Sequence, residues 1–129
     1  MVFGFGEVAA GYSYDPIMSD YFPFSSHAQV LKKHKSFNWD SVVDLNEKAL
    51  GKARKLWHIP YAETMIEKIP DLGGIDIAVI ATPPGHIRKK IIEPLPNLTA
   101  IILEKPLGRN LQEAREFIGI CNHKNIHVQ

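Results

Sequence analysis

Short apolar runs alternate with helix-period segments along the chain. The first run is Met1–Phe5, followed at once by glycines; the others are Ser41–Asp44, Ile75–Ala81, Thr99–Glu104 and Ile126–Gln129. Each is mostly β-branched or otherwise apolar, without strict alternation. That pattern suits strands covered on both faces, as in a parallel sheet. Between the runs, Asn46 caps a helix with Ala49, Leu50, Ala53, Leu56 and Trp57 on one face. A short helix with Tyr61, Met65, Ile66 and Ile69 on one side is ended by Pro70. Ile87, Ile91 and Ile92 mark another, closed by Pro94. Asn110 caps a helix from Leu111 to Cys121, with Leu111, Ala114, Phe117, Ile118 and Cys121 in one stripe. Strand alternating with helix implies right-handed crossovers and an open α/β sheet.

Residues 12–26 break this rhythm. They hold Tyr12, Tyr14, Tyr21, Phe22 and Phe24 among Pro16, Pro23 and small polar residues, and read as an irregular loop. Ser26 then caps a helix from about His27 to Lys35. Two readings of the loop stand: a surface excursion whose aromatics pack onto the domain, or a flap near a ligand. No internal linker appears, so residues 1–129 form one domain.

Composition narrows the class. The chain has 129 residues, 45% hydrophobic and 22% charged, which excludes a disordered tail, a collagen-like chain and a disulfide-stapled miniprotein. A net charge of +1 gives no bulk attraction to nucleic acid or acidic membrane. The single cysteine, Cys121, cannot form an internal disulfide and fits a reducing, cytoplasmic setting. No apolar run reaches the ~18 residues needed to span a bilayer, and the N-terminus lacks the basic start of a signal peptide. No metal site is expected. The glycine turn only three residues into the chain, and the apolar end at Ile126–Gln129, suggest part of a longer protein.

Four places carry candidate chemistry. Gly4-Phe5-Gly6-Glu7-Val8-Ala9 is G-x-G-x-x-A directly after a strand. Gly4 permits the tight turn, Gly6 lets the backbone approach a pyrophosphate, and Ala9 permits close helix–sheet packing, with the phosphates on helix N-terminal N–H groups. Asp44, at the end of the second run, can accept both hydroxyls of an adenosine ribose and repel a 2′-phosphate, favouring NAD over NADP. It lies farther from Ala9 than the usual ~20 residues, an excess that residues 12–26 supply. The alternative is that Asp44 caps the following loop. Lys48 is near enough in sequence to serve a 2′-phosphate, which keeps NADP possible. Thr82 offers a hydroxyl at the carboxyl edge of the third run, before Pro83 and Pro84; His86 is either a ligand contact or a solvated helix-start histidine. Glu104-Lys105-Pro106 ends the fourth run, where a charged pair is hard to explain by packing. Lys105 can polarise a substrate hydroxyl or move a proton, a cis bond before Pro106 would fix the turn, and a plain structural Glu–Lys pair is the alternative.

Taken together, GFGEVA, Asp44, IAVIATPPGH and EKP resemble the N-terminal domain of the Gfo/Idh/MocA oxidoreductases, from Gly4 to Gln129. EKP is the most specific piece and GxGxxA the least. The resemblance implies a Rossmann-like, doubly wound parallel sheet of strand order 3-2-1-4-5 that binds NAD(P). It implies that Gly4, Gly6, Glu7, Val8 and Ala9 form the dinucleotide loop and that Asp44 holds the ribose. Thr82 and Pro83 would flank the cofactor towards the nicotinamide, Glu104 would contact the cofactor region, and Lys105 would be the catalytic lysine. The full-length protein would be a homo-oligomer moving hydride between cofactor and a sugar or polyol. Its second domain, with much of the substrate site and the remaining catalytic groups, is missing here, so this chain would bind dinucleotide yet be inactive alone.

Two departures stand out. The spacing from Thr82 to His86 is one residue shorter than the family's commonest, and residues 12–26 are an insertion. Two other classes fit parts of the pattern: a non-catalytic dinucleotide-binding sensor or assembly module, and a SAM-dependent methyltransferase, against which EKP and TPP argue.

Overall fold

A computed structural model describes residues 1–129, with side chains at every position except 19. The chain divides into two compact units, Met1–Ile69 and Pro70–Gln129.

In the first unit, β1 (Val2–Phe3), β2 (Ser41–Val43) and β3 (Tyr61–Glu63) run parallel, with Val2 opposite Val42 and Ser41 opposite Tyr61. Val2, Phe3, Val42 and Ala62 are buried in consecutive or facing positions, which requires cover on both faces of the strands. Three helices accompany them: α1 (Pro16–Tyr21), α2 (His27–Lys33) and α3 (Glu47–Trp57). The expected caps are in place. The Ser26 side chain accepts from Gln29 N–H at the start of α2, and that of Asn46 accepts from Lys48 N–H at the start of α3. Helix α3 buries Leu50 and Ala53 but leaves Leu56 exposed, so its apolar face is narrower than the sequence implies. It ends at His58, a non-glycine residue at φ 55, and Ile59 N–H returns to Ala53 O at 3.2 Å.

In the second unit, β4 (Ile77–Ile80), β5 (Ala100–Leu103) and β6 (His127–Val128) are parallel, with Ile77 opposite Ala100 and Ala100 opposite His127. Helices α4 (Ile87–Ile92) and α5 (Leu111–His123) lie between these strands in sequence. Asn110 caps α5 by accepting from Glu113 N–H at 2.9 Å. Its buried stripe contains Phe117 and Cys121 as expected, but Leu111 is exposed and Glu113 is buried.

The sheet runs β3-β2-β1-β4-β5-β6, so the expected Rossmann-like order 3-2-1-4-5 is present and β6 extends it. Two expectations need correction. Tyr61–Glu63 is a strand and not part of a helix; Tyr61 N–H donates to Asp40 O, and the helical pattern reduces to one 3₁₀ turn at Ile66–Lys68. Three residues are too few to display a period, so pairing with β2 overrides the local pattern. Nor are residues 12–26 irregular throughout. A 3₁₀ turn spans Gly11–Tyr14, and Asp15 then caps α1 by accepting from Ile17 and Met18 N–H, with Pro16 at the first helical position. Tyr12, Tyr14, Tyr21, Phe22 and Phe24 are all exposed, and of these Tyr14 packs on the ring of Trp57 in α3, as the surface-excursion reading expects. Among the described residues no helix is long and apolar enough to cross a membrane.

Candidate functional site

The glycine turn follows β1 directly. Gly4 sits at φ 79, which glycine adopts at little cost, and its N–H donates to Val43 O at 2.9 Å. The next amide, Phe5 N–H, donates to Asp44 Oδ2 at 2.5 Å, while Asp44 Oδ1 accepts from Asn46 N–H at 2.7 Å. The structure therefore gives Asp44 a capping role and, in addition, makes it the anchor of the turn. Each carboxylate oxygen has a second lone pair, so these bonds leave capacity for a ligand hydroxyl.

From Gly6 the chain makes a single helical turn. Gly6 O accepts from Ala10 and Gly11 N–H, and Glu7 O accepts from Tyr12 N–H. The N–H groups of Gly6, Glu7, Val8 and Ala9 have no acceptor among the described residues, as at the start of any helix. Gly6, Glu7 and Val8 are exposed, whereas Ala9 is buried, as a small third residue should be. A Cβ built on Gly6 would meet nothing within 4 Å. The expectation of an α-helix starting at this turn is not met: α1 begins only at Pro16, because the Gly11–Tyr14 3₁₀ turn and the Asp15–Pro16 cap intervene.

In the second unit, Thr82 and Pro83 follow β4, and Glu104 and Lys105 follow β5. Glu104 N–H donates to Ile80 O at 3.0 Å, which fixes the start of the second turn against the end of β4. The Lys105–Pro106 bond is cis, as the sequence suggests. Lys105 and Pro83 are exposed, and Thr82 and Glu104 are half-buried. The Thr82 hydroxyl oxygen is buried with no partner among the described residues. His86 is exposed at the start of α4 and caps nothing; its Nε2 lies 3.4 Å from Arg109 Nη2.

One residue of this region escaped the sequence reading. Arg88 is only 2% exposed, and its guanidinium donates to the backbone oxygens of Thr82, Glu104, Pro106 and Leu107 at 2.6–3.1 Å. Burial lowers its pKa from the ordinary arginine value, opposed by the charges of Glu113 and Glu104. The available signal was the spacing 88, 91, 92, which puts Arg88 on the same buried helix face as Ile91 and Ile92. Glu113 was missed likewise. It accepts from Arg109 N–H at 2.8 Å and Arg109 Nε at 3.1 Å, and those contacts hold its carboxyl below the ordinary range.

Residues 20–129 match the GFO_IDH_MocA model, the NAD-binding Rossmann fold of an oxidoreductase family. The chain belongs to that family. The Gfo/Idh/MocA match starts beyond the glycine turn and includes Asp44, Thr82, Pro83, Glu104 and Lys105. No curated protein sequence matches the chain. Among solved structures, an oxidoreductase from Agrobacterium radiobacter is 19% identical with a TM-score of 0.72, covering 98% of this chain and 33% of its own. The WlbA dehydrogenase from Chromobacterium violaceum is 18% identical with a TM-score of 0.70, covering 98% and 32%. The scyllo-inositol dehydrogenase from Lactobacillus casei is 15% identical with a TM-score of 0.69, covering 99% and 34%. The chain thus spans about a third of the length of these structures, and at such identities the likeness shows the shared Rossmann fold. The family match makes this chain an NAD-binding Rossmann domain of that family.

Proposed function

We propose that this chain is the cofactor half of an enzyme that moves hydride between NAD and a hydroxyl carbon of a sugar or polyol. The observation that carries the reading is the turn at Gly6–Val8: exposed, with N–H groups that have no acceptor among the described residues and no side chain at Gly6. Such a turn binds a pyrophosphate, and any Cβ at Gly6 would occupy the space of the phosphate rather than clash with the protein. Asp44, held by two backbone N–H groups, presents its remaining lone pairs to the ribose hydroxyls, and its charge disfavours a 2′-phosphate.

Thr82 and Pro83 flank the cofactor towards its nicotinamide, Glu104 contacts the cofactor region, and Lys105 Nζ donates to the substrate hydroxyl or takes its proton. When bound, the nicotinamide supplies or accepts the hydride. A polyhydroxylated substrate is supported by the structural neighbours, which hold L-tartaric acid, UDP-GlcNAcA and scyllo-inositol beside NAD+, NADH or NAD(H). The rest of the catalytic constellation, and homo-oligomer contacts, belong to a substrate domain that these 129 residues do not contain. The setting of the whole protein is the cytoplasm.

Titration with NADH, followed by energy transfer from Trp39 and Trp57, tests the reading, with calorimetry against SAM as the control. NADH should bind and SAM should not. The chain alone, given NAD and a panel of sugars and polyols, should turn over none. SAM binding without NADH binding would overturn the assignment, and robust dehydrogenase activity would overturn the half-site.

A further inference from the structure

The four hydrogen bonds of Arg88 all end on backbone carbonyls of two turns. Nη2 donates to Thr82 O at 2.6 Å and Glu104 O at 3.0 Å; Nη1 donates to Pro106 O at 2.8 Å and Leu107 O at 3.1 Å. Two of these carbonyls, Glu104 and Pro106, stand immediately before and after Lys105. A third belongs to Thr82 itself. Only a guanidinium offers such a planar fork, with separate nitrogens to reach several acceptors; an ammonium has three donors on one atom.

These four bonds end on neutral carbonyls, and the charges of Glu113 and Glu104 also act on the guanidinium. Burying a guanidinium in this way is costly, and for stability alone an apolar side chain of similar volume serves as well or better. The bonds instead fix geometry, since they tie the turn after β4 to the turn after β5.

We infer that Arg88 is a positioning residue: it sets where the Lys105 backbone stands relative to Thr82 and so presets the nicotinamide end of the site. This inference rests on the reading that Thr82, Glu104 and Lys105 serve that end. It requires that loss of the fork weaken contacts to nicotinamide while leaving contacts to adenosine and phosphate intact.

NADH and ADP-ribose, which lacks the nicotinamide, separate the two. Each is titrated against the wild-type chain, Arg88→Met and Arg88→Lys. The expected result is an ADP-ribose Kd within about twofold of wild type for both variants. NADH should bind about tenfold more weakly to Arg88→Met, with altered emission from the bound nicotinamide, and Arg88→Lys should recover part of the loss. Should Arg88→Met fail to fold, Arg88→Lys carries the test, with a smaller NADH-selective loss expected. Equal weakening of NADH and ADP-ribose would make Arg88 a general support and overturn the inference. So would folded variants with unchanged NADH affinity and emission. If wild type binds ADP-ribose but gains nothing from the nicotinamide, the functional reading of Thr82 and Lys105 fails instead.

Discussion

Phe5 and Asp44 are joined by a hydrogen bond from the Phe5 amide to Asp44 Oδ2, so the carboxylate at the end of β2 holds the glycine turn at the end of β1. Its other oxygen holds Asn46 N–H at the start of α3. One side chain thus organises both the phosphate turn and the ribose end of the proposed site. Asp44→Asn would set an amide NH₂ against one of these two backbone donors. The expected loss is about 1–3 kcal/mol of stability, the range for a charged hydrogen bond left unmade. ADP-ribose affinity should fall at the same time. Urea unfolding beside an ADP-ribose titration checks both; unchanged affinity would leave Asp44 a cap only.

Gly4 and Gly6 should respond differently to substitution. Gly4 is at φ 79, so Gly4→Ala should cost about 1–2 kcal/mol through backbone strain. Gly6 has open space where its Cβ would be and no left-handed φ. Gly6→Val should therefore change stability by less than about 0.5 kcal/mol, as at an ordinary surface position. It should nevertheless abolish measurable NADH binding, because the side chain takes the place of the pyrophosphate. Wild-type NADH affinity in Gly6→Val would remove this turn from the site.

Short apolar runs locate β1, β2, β4, β5 and β6, and the caps Ser26, Asn46 and Asn110 are legible because each has one clear local use at the start of a helix-period segment. β3 was lost because three residues such as Tyr61–Glu63 show no period, and their strand conformation comes from pairing with β2. Helix α1 was hidden among aromatics, although Asp15–Pro16 is a recognisable start signal. The candidate site residues are proposed from the sequence as types at strand ends, and the structure places Asp44, Thr82 and Glu104 just after strands. What could not be read there was their mutual wiring: the Phe5–Asp44 bond joins residues 39 apart, and the bonds of Arg88 cross up to 19 positions. Such partners become neighbours only through the sheet.

Tyr14 anchors the aromatic insertion to α3. Trp57 Nε1 donates to the Tyr14 hydroxyl at 2.6 Å, with the rings 6.4 Å apart. Tyr14→Phe keeps the ring and removes the acceptor, so about 0.5–1.5 kcal/mol of stability should be lost. Trp57 emission should shift as its indole N–H turns to water. An unchanged spectrum together with an unchanged urea midpoint would show that the bond does not persist in solution.

Glu113 should give the protein an acid-side stability slope. Its carboxyl is held below the ordinary 4.5, first by the Arg109 backbone N–H and then by the Arg109 side chain, against the opposing effect of burial. A carboxyl depressed in the folded state stabilises it fully at pH values above the unfolded pKa. That contribution is lost as pH falls through the folded value, because the unfolded chain takes up the proton first. Stability measured by urea unfolding from about pH 6 down to about pH 3 should therefore drop less steeply in Glu113→Gln than in wild type. Glu116, depressed by Lys89 and Gln112, contributes its own slope to both proteins and cancels in the comparison. The variant should also start lower at neutral pH, since an amide replaces the charged acceptor of two Arg109 bonds. Parallel pH profiles for the two proteins would show that Glu113 titrates alike folded and unfolded, and that Arg109 is held by the α5 turn rather than by charge.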